Sequence, residues 1–217
     1  MLNDLGLQHC QDCMLCGAAY GREGMPPHWR RPTQKVQGRG VLPCDVLILG
    51  EAPGEKEDKS GWPFDPDGTA GRFMLDMLIA SGLDQCRLYI TNVVKCRPPG
   101  NRKPSPSEAS SCQPWLELEL AEAGACYVLC LGETAMARFF PPRTFGGHHT
   151  VPGKVGDWVG KTLPLVVSGA TAIGCYHPAA RQASQRGQIL PVMQMIAGRL
   201  GIVPPAREQV DYQVQEV

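Results

Sequence analysis

Four cysteines, arranged as one C-x2-C pair (Cys13, Cys16) and one C-x15-C pair (Cys96, Cys112), constrain this chain more than any other feature. Thiolates gathered four at a time, two of them in a C-x2-C, are how proteins grip a zinc ion or an iron–sulfur cluster. Between the pairs lies G-E-A-P-G-E-K-E-D, Gly50 to Asp58, directly after an apolar stretch. A carboxylate-rich loop at that place presents acid–base chemistry at the carboxyl edge of an α/β sheet. The combination points to a metal-stapled enzyme.

The chain has ten cysteines, a count that in a small secreted protein would suggest disulfides. No charged n-region followed by an apolar stretch is visible, and no apolar run approaches the roughly 20 residues that span a bilayer. A reduced, cytoplasmic protein is expected. Cys44, Cys86, Cys126, Cys130 and Cys175 then lie in or beside apolar stretches as packing residues. Cys10 is ambiguous, because C-Q-D-C-M-L-C offers two overlapping C-x2-C pairs. A compact zinc ribbon does not fit, since 79 residues separate Cys16 from Cys96.

At 217 residues there is room for one well-buried α/β core, and two domains would be cramped. We expect a single domain over 1–203 and a loose tail over 204–217. Twenty-one basic and twenty-one acidic residues cancel, which excludes a globally basic nucleic-acid coat but not a local basic face. Two clusters qualify: Lys95, Arg97, Arg102 and Lys103, with no acid among them, and Arg30, Arg31, Lys35 and Arg39. A solvated loop is the plain alternative for either.

Residues 1 to about 43 are expected to be irregular, punctuated by Met25-Pro-Pro, Arg31-Pro32 and Gly38-Arg-Gly40. Asp45 to Leu49 fits a buried parallel strand. Thr69 to Ser81 fits an amphipathic helix closed by Gly82, with Phe73, Met74, Met77 and Leu78 on one face. Leu88 to Val94 is the next strand. Ser105-Pro-Ser-Glu108 starts a helix with a capping box; it carries Cys112, is expected to kink near Pro114, and ends near Gly124. Strands at Tyr127 to Leu131, Leu163 to Val167 and Ile173 to Tyr176 follow, with helices from Glu133 and over Gln188 to Leu200. This alternation predicts a parallel sheet covered on both faces.

The strand–glycine–carboxylate turn places Glu51 at a strand's carboxyl end. Phe64, in W-P-F, is held near it by Pro63, and Asn92 ends the following strand on the same edge. His177, in C-Y-H-P-A-A, ends a late strand, where Pro178 stops the chain. Carboxylate, flat aromatic, amide and imidazole around one crevice suit a nucleobase: the ring stacks, the amide reads an edge, and the ionisable groups handle developing charge.

These segments, G-E-A-P-G-E-K-E-D…G-W-P-F, Y-I-T-N-V-V-K-C-R-P-P-G-N-R-K-P…C and H-P-A-A, resemble the motifs of the family 4 uracil-DNA glycosylases, the iron–sulfur branch of their superfamily. The likeness runs in order from Cys13 to about Ala180. It implies a three-layer α/β/α sandwich with a central four-stranded parallel sheet, its N-terminal segment pinned by a [4Fe–4S] cluster. It implies Cys13, Cys16, Cys96 and Cys112 as cluster ligands and Glu51 and His177 as catalytic residues. Ala52, Glu57, Phe64 and Asn92 fall at base-binding positions, with Glu57 on the C5 side of the base. Arg97, Arg102 and Lys103 would meet DNA phosphates. The activity implied is hydrolysis of the N-glycosidic bond of a flipped-out uracil by a monomeric enzyme with no membrane partner.

Three segments depart from the family pattern. The stretch from Phe64 to Gly71 is two residues longer and acidic, Gly21 to Gln37 is expanded, and Arg181-Gln-Ala-Ser replaces the usual L-L-R. A longer loop beside the pocket leaves room for a rival substrate, a bulky modified cytosine in phage DNA. A non-catalytic reader of DNA damage is the rival of another class, opposed by the joint presence of Glu51, Asn92 and His177.

Overall fold

The computed structural model describes residues 6–13, 15, 33–140, 143–145, 149–151, 154–165 and 168–204. In chain order the elements are β1 (Arg39–Gly40), β2 (Val46–Gly50), α1 (Glu55–Ser60), α2 (Thr69–Ser81), β3 (Leu88–Asn92), α3 (Pro106–Ala123), β4 (Tyr127–Leu131) and α4 (Gly132–Met136). There follow β5 (Arg143–Phe145), β6 (His149–Val151), α5 (Val155–Trp158), β7 (Thr162–Pro164), β8 (Thr171–Cys175), α6 (Ala183–Arg186) and α7 (Ile189–Arg199). The main sheet has six strands in the order β1-β3-β2-β4-β8-β7, and β5 with β6 forms a separate hairpin.

The four inner strands, β3, β2, β4 and β8, are parallel, as expected. The sheet is wider than expected because β1 and β7 add antiparallel edges. A two-residue strand is too short to show a period in the sequence, so β1 hides inside a segment that reads as irregular. The inner strand β2 is buried throughout. Its Leu47 and Leu49 face one core with Leu116 and Ala123 of α3; Val46 and Ile48 face the other with Met74 and Met77 of α2 and Val192, Met193 and Ile196 of α7. Apolar residues in succession therefore cover both faces of the sheet, which gives the three layers.

Helix ends follow local chemistry. Ser105 Oγ accepts from Glu108 N (3.2 Å) and Glu108 Oε2 accepts from Ser105 N (2.7 Å), the reciprocal pair that starts α3. α3 runs through Pro114 as one helix to Gly124, which takes φ +51°. Other details differ from the sequence reading. The second half of Gly50 to Asp58 is the helix α1 and not loop, while the helix at Glu133 is only five residues long. The strand expected from Leu163 to Val167 is Thr162–Pro164, residues 166 and 167 lying outside the described ones. The expected tail lies outside them from residue 205, as do Cys16, Arg30 and Arg31. Among the described residues no helix is long and apolar enough to cross a membrane.

Candidate active site

Parallel pairing brings the sequence-predicted residues to one edge. Gly50 is the register partner of Asn92, and beyond the ladder Val93 N donates to Gly50 O and Val94 N to Glu51 O, both at 3.0 Å. On the other side Leu131 pairs with Cys175, so Gly132 to Thr134 and Tyr176 to His177 leave the sheet together. Around this edge lies a cavity of about 760 Å³ whose lining includes Glu51, Ala52, Glu57, Arg102, Gly132 and His177. Phe64 and Asn92 do not line the open cavity. They lie buried behind its lining residues Glu57 and His177, 8 % and 1 % exposed.

Gly50 permits that burial. A Cβ there would stand 2.2 Å from Asn92 Oδ1 and 2.6 Å from Phe64 Cε2, so only glycine lets amide and ring close over the strand end. Phe64 takes φ +51°, a left-handed conformation costing a non-glycine residue about 1–3 kcal/mol. Glu57 offsets that cost. Its two oxygens accept from Gly54 N and Phe64 N, each at 2.5 Å, and so staple the turn that carries the ring. Burial raises the Glu57 pKa, opposed by these two N–H groups and the Asn92 amide. Although Asn92 lies beside Glu57, its Nδ2 finds no acceptor at hydrogen-bond geometry. The Glu57 carboxylate is therefore its neighbour but an imperfect acceptor, which leaves this buried amide incompletely satisfied.

His177 faces Phe64 with ring centroids 5.7 Å apart and planes tilted by 35°. Its Nδ1 accepts from Ala179 N at 3.1 Å, which fixes Nε2 as the protonated nitrogen. The ring keeps an edge open to the cavity, yet burial pushes its pKa down to about 4. At neutral pH it is therefore an uncharged donor. The imidazole can offer a hydrogen bond but not a positive charge. Gly132, at φ +80°, makes room for it, since a Cβ there would lie 3.2 Å from His177 Cβ.

Glu51 accepts a short hydrogen bond from Thr134 Oγ1. Thr134 escaped the sequence reading, but a signal existed: L-G-E ends β2 at 49–51 and recurs at 131–133, after the adjacent strand.

Comparison with known proteins decides the relationship. The profile of the uracil DNA glycosylase superfamily matches residues 38–194. Type-4 uracil-DNA glycosylases of Sulfurisphaera tokodaii and Thermotoga maritima are 36 % and 37 % identical to this chain over 155 and 154 residues. Those alignments cover 70 % and 71 % of this chain and 67 % and 74 % of the relatives. A Type-5 uracil-DNA glycosylase of Thermus thermophilus is 30 % identical over 186 residues, 75 % of each chain. The chain belongs to the uracil-DNA glycosylase superfamily.

Within this superfamily member the basic loop has an unexpected setting. Arg97 Nε donates to Asn101 Oδ1 (2.7 Å), and its Nη2 lies 3.5 Å from Glu55. Arg102 forks onto both oxygens of Glu108 (2.8 and 2.7 Å), and Lys103 pairs with Glu133 at 2.8 Å. Each cation thus meets a carboxylate supplied by α1, α3 or α4. Lys95, counted with them in the sequence, is not on the surface at all. Fully buried, its Nζ donates to Thr91 Oγ1 (2.7 Å), Asn92 O (2.6 Å) and Glu119 Oε2 (2.5 Å). Glu119 also accepts from Thr91 Oγ1 (2.7 Å) and Gly38 N (3.0 Å), so this pair ties β1, β3 and α3 together directly behind Asn92.

Cys13, Cys96 and Cys112 pack into one core, the last two buried. Burial and the neighbouring thiols push Cys96 up to about 12, and burial pushes Cys112 up to about 11. Such thiols give up their protons readily only to a soft metal centre, so the donor chemistry suits one. Cys16 is outside the described residues. Among the described residues no three ligating groups stand close enough to hold a metal ion. Cys10 Sγ donates to Asp12 Oδ2 at 3.2 Å and stands near enough to Cys112 to raise that thiol's pKa slightly further.

Proposed function

We propose that this protein is a monofunctional DNA glycosylase that releases uracil from DNA and leaves an abasic site. The observation that carries the reading is the Asn92 amide, buried behind the cavity wall beside Glu57 with Nδ2 incompletely satisfied. Uracil offers an acceptor at O4 and a donor at N3–H, and a side-chain amide answers both. Phe64, held in its turn by Glu57 with its ring against His177, would be the face on which a flipped base stacks once the wall in front of it opens.

Chemistry follows from the charges around that base. Cleavage of the C1′–N1 bond sends its electron pair into the base, leaving a cationic sugar. His177 Nε2–H donates to O2 of the departing anion, and being neutral it keeps its proton. The Glu51 carboxylate, oriented by Thr134, faces the sugar, stabilises its positive charge and accepts the proton of the water that adds to C1′. The products are an abasic deoxyribose and the uracil anion, which becomes free uracil by taking up, through solvent, the proton that Glu51 received and releases. Cys13, Cys16, Cys96 and Cys112 would hold a [4Fe–4S] cluster, whose part in a hydrolysis without redox steps is structural. About four iron atoms and four acid-labile sulfides per chain are expected on analysis; zinc without sulfide would reject the cluster.

Single-turnover base release from duplexes carrying uracil, hydroxymethylcytosine or glucosylated hydroxymethylcytosine tests the activity. Uracil should be released fastest, and His177→Ala should slow release about 10²–10³-fold. Because the working imidazole is neutral, with its pKa near 4, the rate should not fall as pH rises through 6.5. Faster release of a modified cytosine would make that the substrate. No release of any base would leave only a binding role.

A further inference from the structure

A second concave surface lies on the β1 side of the sheet. It is a groove of about 520 Å³ lined by residues that include Thr33, Gln34, Lys35, Gln37, Arg39 and Ser60. No carboxylate is among the described residues that line it. Lys35 and Arg39 are the ionised side chains of that described lining. Among the described residues three carboxylates reach this surface: Asp58 accepts from Gln34 N (2.8 Å) and Glu119 from Gly38 N, both buried behind it, while the partly exposed Asp65 accepts from Ser60 at its edge.

At the rim Arg39 Cζ sits 4.6 Å from the ring centroid of Trp62, which is 52 % exposed. An aromatic that large, uncovered and carrying a guanidinium, is a ready stacking platform for a base beside a phosphate. The groove is also firmly built. Val36 N donates to Lys95 O (2.7 Å), Lys35 bridges to Cys96, and Gln34 Nε2 donates to Lys59 O (3.1 Å). Trp62 stands two residues before Phe64, and Lys59, which lines the base cavity, adjoins Ser60 of this groove. The two surfaces are therefore neighbours along α1.

We propose that this groove is a second DNA-contact surface, gripping the sugar–phosphate backbone next to the target nucleotide with Arg39 and Lys35 while Trp62 stacks on an adjoining unpaired base. The inference rests on the glycosylase reading, and its test can fail separately from that reading. The simpler view is that Arg39 and Trp62 merely cover each other on the surface.

Binding of an oligonucleotide carrying a stable abasic analogue, measured by anisotropy at several salt concentrations, separates the two. Arg39→Ala should lower the salt slope by about one unit, and Trp62→Ala should weaken binding about tenfold, with Trp62→Phe intermediate. Single-turnover uracil release at saturating DNA should stay at the wild-type rate. Arg39→Gln keeps part of the stem and repeats the slope measurement if the alanine variant is unstable. Unchanged affinity and slope in folded variants would overturn the proposal. Wild-type protein that binds DNA through this groove but releases no base would instead overturn the glycosylase reading.

Discussion

Two stretches of this chain look alike as strings of basic residues, 95–103 and 35–39, and fold into opposite electrostatic situations. In the first, Lys95 is buried against Glu119, while Arg97, Arg102 and Lys103 face Glu55, Glu108 and Glu133. In the second, Arg39 covers an exposed tryptophan and Lys35 Nζ donates to Gln8 O at 2.9 Å, along a groove with no carboxylate among its described lining residues. The difference comes from partners far away in sequence. A run of cations is attractive to DNA only to the extent that the fold leaves its charge unanswered.

The largest test of this contrast exchanges one lysine in each stretch. Lys95→Met leaves Glu119 buried without its counter-charge, and loss of one member of a buried pair costs about 3–5 kcal/mol. Lys35→Met, on a partly exposed side chain, should cost under about 1 kcal/mol. Urea unfolding of both variants measures the gap, and Glu119→Gln added to Lys95→Met should restore part of the loss. Equal, small losses would mean that Lys95 is not the internal tie described here.

A smaller effect concerns the neutralised loop. Glu133→Gln releases Lys103 from its counter-charge, so DNA affinity should rise two- to threefold, about the strength of one exposed ion pair. The salt slope should steepen by up to about one unit. Lys103→Ala should do less than Arg39→Ala, because its charge is already answered in the free protein. If Lys103→Ala flattens the slope more than Arg39→Ala does, phosphates displace Glu133 and the loop, not the groove, is the main grip.

The clustering of Glu51, Asn92 and His177 was legible because these residues sit at strand ends. A strand followed by glycine and a polar residue places that residue on the carboxyl edge, and parallel pairing then gathers Glu51, Asn92 and His177 whatever the loops do. Phe64 followed from its proximity to the same turn. Thr134 did not: the L-G-E repeat at 49–51 and 131–133 hints at equivalent strand ends, but only the pairing of β2 with β4 turns it into a contact with Glu51. Nor did the sequence show that His177 would be neutral, because its low pKa depends on the walls around it.

The residue order by itself determined the parallel inner sheet, the cap of α3, the turn after β2 and the set of side chains at one edge. Each of these rests on neighbours within a few residues or on hydrophobic period, which short-range sterics and burial enforce directly. Tertiary structure alone decided which charges survive. It buried Lys95, paired the loop cations, left Arg39 beside Trp62 and kept the His177 imidazole uncharged, because the field at a site is the sum over groups that only folding brings within a few ångströms.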